Sequence, residues 1–193
     1  IVASFFPEAE EMTIKEIQER VDYSYERINS ALKSLAKKKI LIEAQKGKTL
    51  VYSLDINNLY TEIMGFSSYM LQREVDFIKK HKIIYKAIQE VKNNPFTWSV
   101  ILFGSYSKGT ETKQSDIDLI VTCIPGREKE IEHFINSLKH RYGINFSSVV
   151  MSIQEFSNIK KDNPELWYDF KTYGIIFKGH DDFYWWMYKD GKN

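Results

Sequence analysis

Along the first half of the chain, hydrophobic positions recur at helical spacing. From Met12 to Val21 the apolar residues are Ile14, Ile17 and Val21, and Thr13 stands before them with Glu16 three places on. That pairing predicts a helix whose first turn closes as a capping box. Asp22-Tyr23-Ser24 breaks the pattern, and Ser24 is suited to cap a second helix in which Ile28, Leu32 and Leu35 repeat at i, i+4 and i+7. The segments ILIEA (40–44) and TLVYSL (49–54) flank QKGK (45–48), which predicts a strand–turn–strand hairpin with Gly47 at its tip. Between Asn57 and Lys92 the pattern is helical again: Leu59, Ile63, Phe66, Met70, then Val75, Phe77, Ile78, Ile84 and Ile88, until Asn93-Asn94-Pro95 stops it. One long helix or two shorter ones satisfy this stretch. A homodimer interface is one use for so much apolar surface, and packing on a second domain is the other.

After Pro95 the pattern turns β-rich. TWSVILFG (97–104) reads as a largely buried strand, Gly104-Ser105 interrupts it before a short helix, and DIDLIV (116–121) leads a second strand. A helix over 126–141 and a strand over 144–153 follow, then GIIFKG (174–179) and an aromatic tail, FYWWMY (183–188), expected to dock on the domain or a partner subunit. The fold class expected is α+β.

Helix, short turn, helix and basic hairpin, in that order, resemble the winged helix-turn-helix family over residues 1–55. Charge strengthens the likeness. The formal net charge is only +1, yet residues 23–54 carry seven Lys and Arg against Glu26 and Glu43, a local +5. With Ile28, Leu32 and Leu35 inward, Glu26, Ser30, Lys33 and Lys37 face outward, flanked by Arg27 and Asn29. Such a face suits a major groove of double-stranded DNA, with Lys46 and Lys48 of the hairpin reaching backbone phosphates. A module used only for protein contact is the alternative.

Composition sets outer bounds. A chain of 193 residues with 43% hydrophobic and 27% charged residues is ordinary for one large or two small globular domains. Cys123, the single cysteine, excludes an internal disulfide and points to a reducing, cytoplasmic setting. The apolar runs are too short to span a membrane, and IVASFF lacks the basic flank of a signal peptide.

The chemistry concentrates in FGSYSKGTETKQSDIDLIV (103–121). Alternation along a strand turns Asp116 and Asp118 to one face. Two adjacent carboxylates repel unless a cation or a proton lies between them, and an all-oxygen ligand set suits Mg²⁺ or Mn²⁺. Gly104 lets backbone approach an anion, and Ser105 can donate to phosphate oxygens. The run from Gly104 to Leu119, with its second glycine Gly109 and with Ser115 before the first aspartate, resembles the signature of the minimal nucleotidyltransferases of the DNA polymerase beta superfamily. That likeness covers about 95–183 and divides the chain into a winged helix (1–55), a helical linker (56–94) and a nucleotidyltransferase-like α/β domain with a short mixed sheet (95–193). It implies that Gly104, Ser105 and Ser115 hold an NTP, and that Asp116 and Asp118 hold metal and serve catalysis.

The family's third carboxylate belongs on a later strand, and 144–153 holds no Asp or Glu, only Ser147 or Ser148 in its place. Glu155 lies just beyond. His133 and His140 read as solvated surface, and Cys123 as packing. Three functions remain open: transfer of a nucleoside monophosphate to an unknown acceptor, a DNA-binding regulator that senses nucleotide without catalysis, and an antitoxin-like role toward a partner protein.

Overall fold

A computed structural model describes residues 1–189. The chain forms two compact units, one of residues 1–71 with the described residues from Tyr184 onward, the other of residues 72–183.

The first unit contains β1 (Met12–Thr13), α1 (Ile14–Arg20), α2 (Tyr25–Lys37), β2 (Leu41–Lys46) and β3 (Thr49–Leu54). Thr13 and Glu16 close the expected capping box on α1, whereas Ser24 makes no side-chain capping bond to α2. β2 and β3 pair antiparallel through Lys46↔Thr49, and β1 adds to the free edge of β3. Ile17, Ile28, Leu32 and Tyr52 are fully buried. Tyr184 and Tyr188 from the aromatic tail pack with Phe6 and Phe66 at ring separations of 5.4–6.4 Å. Tail docking is thus intramolecular for these two rings.

The helical region breaks where neither glycine nor proline marks it. A π-helical turn (Thr61–Phe66) runs into α3 (Ser67–Lys80), and α4 (Lys82–Asn93) restarts after His81. Phe66 and Met70 are buried as expected, but Leu59 and Ile63 are exposed, so the apolar stripe is only partly used within the chain.

In the second unit α4 is followed by β4 (Thr97–Phe103), α5 (Gly104–Lys108), β5 (Ile117–Cys123), α6 (Glu128–Tyr142), β6 (Phe146–Ser152), α7 (Ile153–Asp162), α8 (Pro164–Tyr173), β7 (Ile175–Lys178) and α9 (His180–Tyr184). The sheet runs β6-β5-β4-β7, with β5 parallel to β6 and the other pairs antiparallel. It is a mixed sheet, and the protein is α+β. The α6 crossover between parallel strands buries Ile131, Ile135 and Leu138 against Val100, Leu102, Leu119 and Val121. Every second residue of β5 therefore anchors the strand in the core, which leaves Asp118 to the other face. Among the described residues no helix is long and apolar enough to cross a membrane.

Because Leu119 is fully buried at the centre of this core, Leu119→Ala is expected to destabilise the protein by about 3 kcal/mol. Urea unfolding followed by circular dichroism checks this. A loss below about 1 kcal/mol would contradict the packing described.

Candidate active site

The register of β4 against β5 builds the site. Phe103, the last residue of β4, is the Cα partner of Asp118, so the chain leaves β4 directly beside that carboxylate. The next residue, Gly104, has φ +68°, and a Cβ there would lie 2.1 Å from Asp118 Oδ2. Both the backbone conformation and the space require glycine at this position. The turn then coils into α5, and Gly109 ends it in the left-handed region, with Thr110 N donating to Ser105 O at 3.0 Å.

On its other side Asp118 is the Cα partner of Ser147 in β6. The Ser147 hydroxyl lies where it favours the charged form of the Asp118 carboxyl. Of the two serines that occupy the expected place of a third acid, Ser147 therefore faces the site. Burial raises the pKa of Asp118 above the usual carboxylate value; the Asp116 carboxylate and Asp169 raise it further, while Ser147 and Lys108 oppose them. A half-buried carboxylate beside a second one, resisting ionisation, is a site that gains when a cation arrives. The oxygen donors suit Mg²⁺ or Mn²⁺. Among the described residues no group of three or more His, Cys, Asp or Glu is placed to hold a metal, so the pair would rely on water or ligand oxygens to complete a coordination shell.

Asp116 lies one residue before β5 and is exposed. It borders a polar cleft of about 310 Å³ with Asn136, Lys139 and Asn145. Ser105 is half-buried within α5. Ser115 turns inward on its own loop: its Oγ accepts from Thr112 N at 2.9 Å, which shapes the approach to Asp116.

Glu155 has a different task. Its carboxylate accepts from Ser152 N and Ser152 Oγ, both at 2.8 Å, and closes a capping box on α7. The pattern Ser152-x-x-Glu155 carries that signal in the sequence. Cys123 is buried and its thiol is pushed up to about 11, which leaves it a core residue. Lys108 and Asp169 join the site without having been expected there. Lys108 Nζ lies 2.5 Å from Asp169 Oδ1. Lys108 had a signal, four places after Gly104 at the end of a single helical turn; Asp169, on a distant helix, had none.

Of the residues expected at a nucleic-acid interface, Arg27, Ser30, Lys33 and Lys37 are exposed on α2, and Asn29 is half-buried. Lys48 is exposed, whereas Lys46 is paired with Glu11 at 2.5 Å.

A protein-family match falls within the second unit. Residues 84–166 match the family model described as "Nucleotidyltransferase domain". A Methanocaldococcus jannaschii protein named as a candidate protein adenylyltransferase is 33% identical over 94 residues, which cover 47% of this chain and 87% of that protein. The chain belongs to the nucleotidyltransferase family. Two further M. jannaschii proteins with the same kind of name are 35% and 44% identical to this chain, over 41% and 24% of its length. The chain spans 57% and 40% of those two relatives. Two solved structures also align with it: a toxin–antitoxin with AMP-PNP, at 22% identity and a TM-score of 0.38 over 57% of this chain and 82% of that one, and a Sulfolobus solfataricus protein assigned as a nucleotidyltransferase, at 19% and 0.32 over 56% and 85%.

The capping role of Glu155 yields a pH test. Its hydrogen bonds with Ser152 lower its pKa from the ordinary 4.5. The stability it contributes is present above that value and is lost as pH falls through the lower folded value. Glu155→Gln should therefore reduce stability at neutral pH, and the gap from the natural protein should close at an acid pH below the lowered folded value, where both side chains are uncharged. Urea unfolding at the two pH values measures the gap. Nucleotide affinity should not change, and a loss of affinity with stability intact would return Glu155 to the site.

Proposed function

We propose that the second unit binds an NTP with Mg²⁺ or Mn²⁺ and transfers a nucleoside monophosphate, adenylate by analogy with the names of its relatives, to a hydroxyl of a protein acceptor. The observation that carries this reading is the placement of Gly104 against Asp118, which sets a side-chain-free turn beside a paired carboxylate. Asp116 and Asp118 would hold the cation, which would neutralise phosphate charge and favour attack at phosphorus. Gly104 and Ser105 would cradle the triphosphate, the glycine by leaving room for its oxygens and the serine by donating its hydroxyl. In the transfer, the acceptor oxygen forms a bond to the α-phosphorus as the bond from that phosphorus to the β-bridging oxygen breaks. Pyrophosphate leaves, and the acceptor proton passes to solvent.

Ser147 favours a second reading. It can hydrogen-bond to Asp118 but adds no negative charge, so β6 supplies no third carboxylate to activate the acceptor hydroxyl, and Asp169 is already engaged by Lys108. A domain so equipped can sense nucleotide with little or no turnover. Ser147→Asp, which faces Asp118, is expected to increase label transfer from α-labelled ATP, with the protein itself and candidate proteins supplied as acceptors. Asp116→Asn with Asp118→Asn should abolish metal-dependent ATP binding in calorimetry. Unchanged affinity in that double variant would refute the metal assignment, and transfer by the natural protein equal to that of Ser147→Asp would refute the sensing reading.

For the first unit we propose duplex DNA binding through α2 and the β2–β3 hairpin. The exposed Arg27, Ser30, Lys33 and Lys37 support it, with Asn29 at the flank. Affinity should fall with salt, and Lys48→Ala should flatten the slope of log affinity against log salt by roughly 0.9. Lys46→Ala should flatten it less, because Glu11 already neutralises that ammonium. Fluorescence anisotropy with a labelled duplex across salt concentrations tests this, and indifference to Lys48 would leave protein contact as the better account.

A further inference from the structure

The ion pair between α5 and α8 is built as a support. Lys108 Nζ sits 2.5 Å from Asp169 Oδ1 and 5.3 Å from the centroid of the Tyr173 ring, so α8 supplies two groups one helical turn apart to one ammonium. Asp169 is the more covered partner, its side chain 23% exposed against 36% for Lys108. Both charges act on Asp118, which puts the pair within electrostatic reach of the carboxylates at the end of the sheet. Lys108 also ends the same short helix that Gly104 and Ser105 begin.

We propose that Asp169 and the Tyr173 ring are positioning groups that hold the Lys108 ammonium ready for the phosphates of a nucleotide bound at Gly104, Ser105, Asp116 and Asp118. The inference rests on the nucleotide-binding reading above. A lysine on its flexible four-carbon stem loses rotamer freedom when it engages a ligand. Asp169 and Tyr173 remove that freedom in advance. Simple charge counting points the other way: Asp169 is a third carboxylate near an anionic ligand, so deleting its charge should strengthen binding. Positioning and charge repulsion thus differ in sign.

Equilibrium titration of the whole chain with a fluorescent ATP analogue and Mg²⁺ separates them. Asp169→Asn is expected to raise Kd about fivefold, the scale of one side chain that must be ordered on binding. Asp169→Glu should recover most of the affinity, and Tyr173→Leu should weaken binding in the same direction. Lys108→Ala should also raise Kd, and adding Asp169→Asn to it should change Kd by less than about twofold, because the residue that Asp169 serves is gone. Tighter binding by Asp169→Asn, or an undiminished effect of that change without Lys108, would overturn the inference while leaving the nucleotide site intact. Failure of the natural protein to bind the analogue at all would overturn the nucleotide reading, and this inference with it.

Discussion

The antiparallel register of β4 and β5 is the constraint on which the site depends. It sets Phe103 opposite Asp118, so the chain must turn away from the sheet at Gly104, directly against the carboxylate. Any side chain at Gly104 would collide with Asp118 Oδ2. The core enforces the register from behind, because Leu119 and Val121 are locked among α6 and β4 residues and a one-residue slip would drive the aspartate into that core. Packing on one face of the sheet thereby fixes the chemistry on the other.

The electrostatics follow from that placement. Asp118 is disfavoured as an anion by burial, by Asp116 and by Asp169, and is relieved only in part by Ser147 and Lys108. The arrangement costs stability in the free protein and is answered by a cation and by ligand phosphates in the proposed function. Ser147, the Cα partner of Asp118 on β6, relieves that carboxylate without adding a charge.

Much of this was legible in the sequence because local rules were obeyed locally. Thr13 with Glu16 announced the start of α1, the basic turn at Gly47 announced the hairpin, and alternation through Ile117-Asp118-Leu119 announced the buried face of β5 and the opposite face that carries Asp118. The failures have physical reasons. His81 ends α3 without a glycine or proline, so composition could not reveal the break. Leu59 and Ile63 have helical spacing but stay exposed, because periodicity finds a face without saying what covers it. Choosing Ser147 over Ser148 needed the parallel register of β6, which is a long-range property. Asp169 was invisible for the same reason: its partner Lys108 belongs to a different helix, and tertiary folding alone brings them together. Glu155 was legible as half of a capping box, and that pattern explains why it is unavailable to the site.

The most direct measurement is a crystal structure with a non-hydrolysable ATP analogue and Mn²⁺, using the anomalous signal to locate the metal. The account predicts an ion shared by Asp116, Asp118 and the analogue's phosphates, with the phosphates against Gly104 and Ser105. A metal or triphosphate bound elsewhere, such as in the cleft beside Lys139 with both aspartates uninvolved, would contradict it.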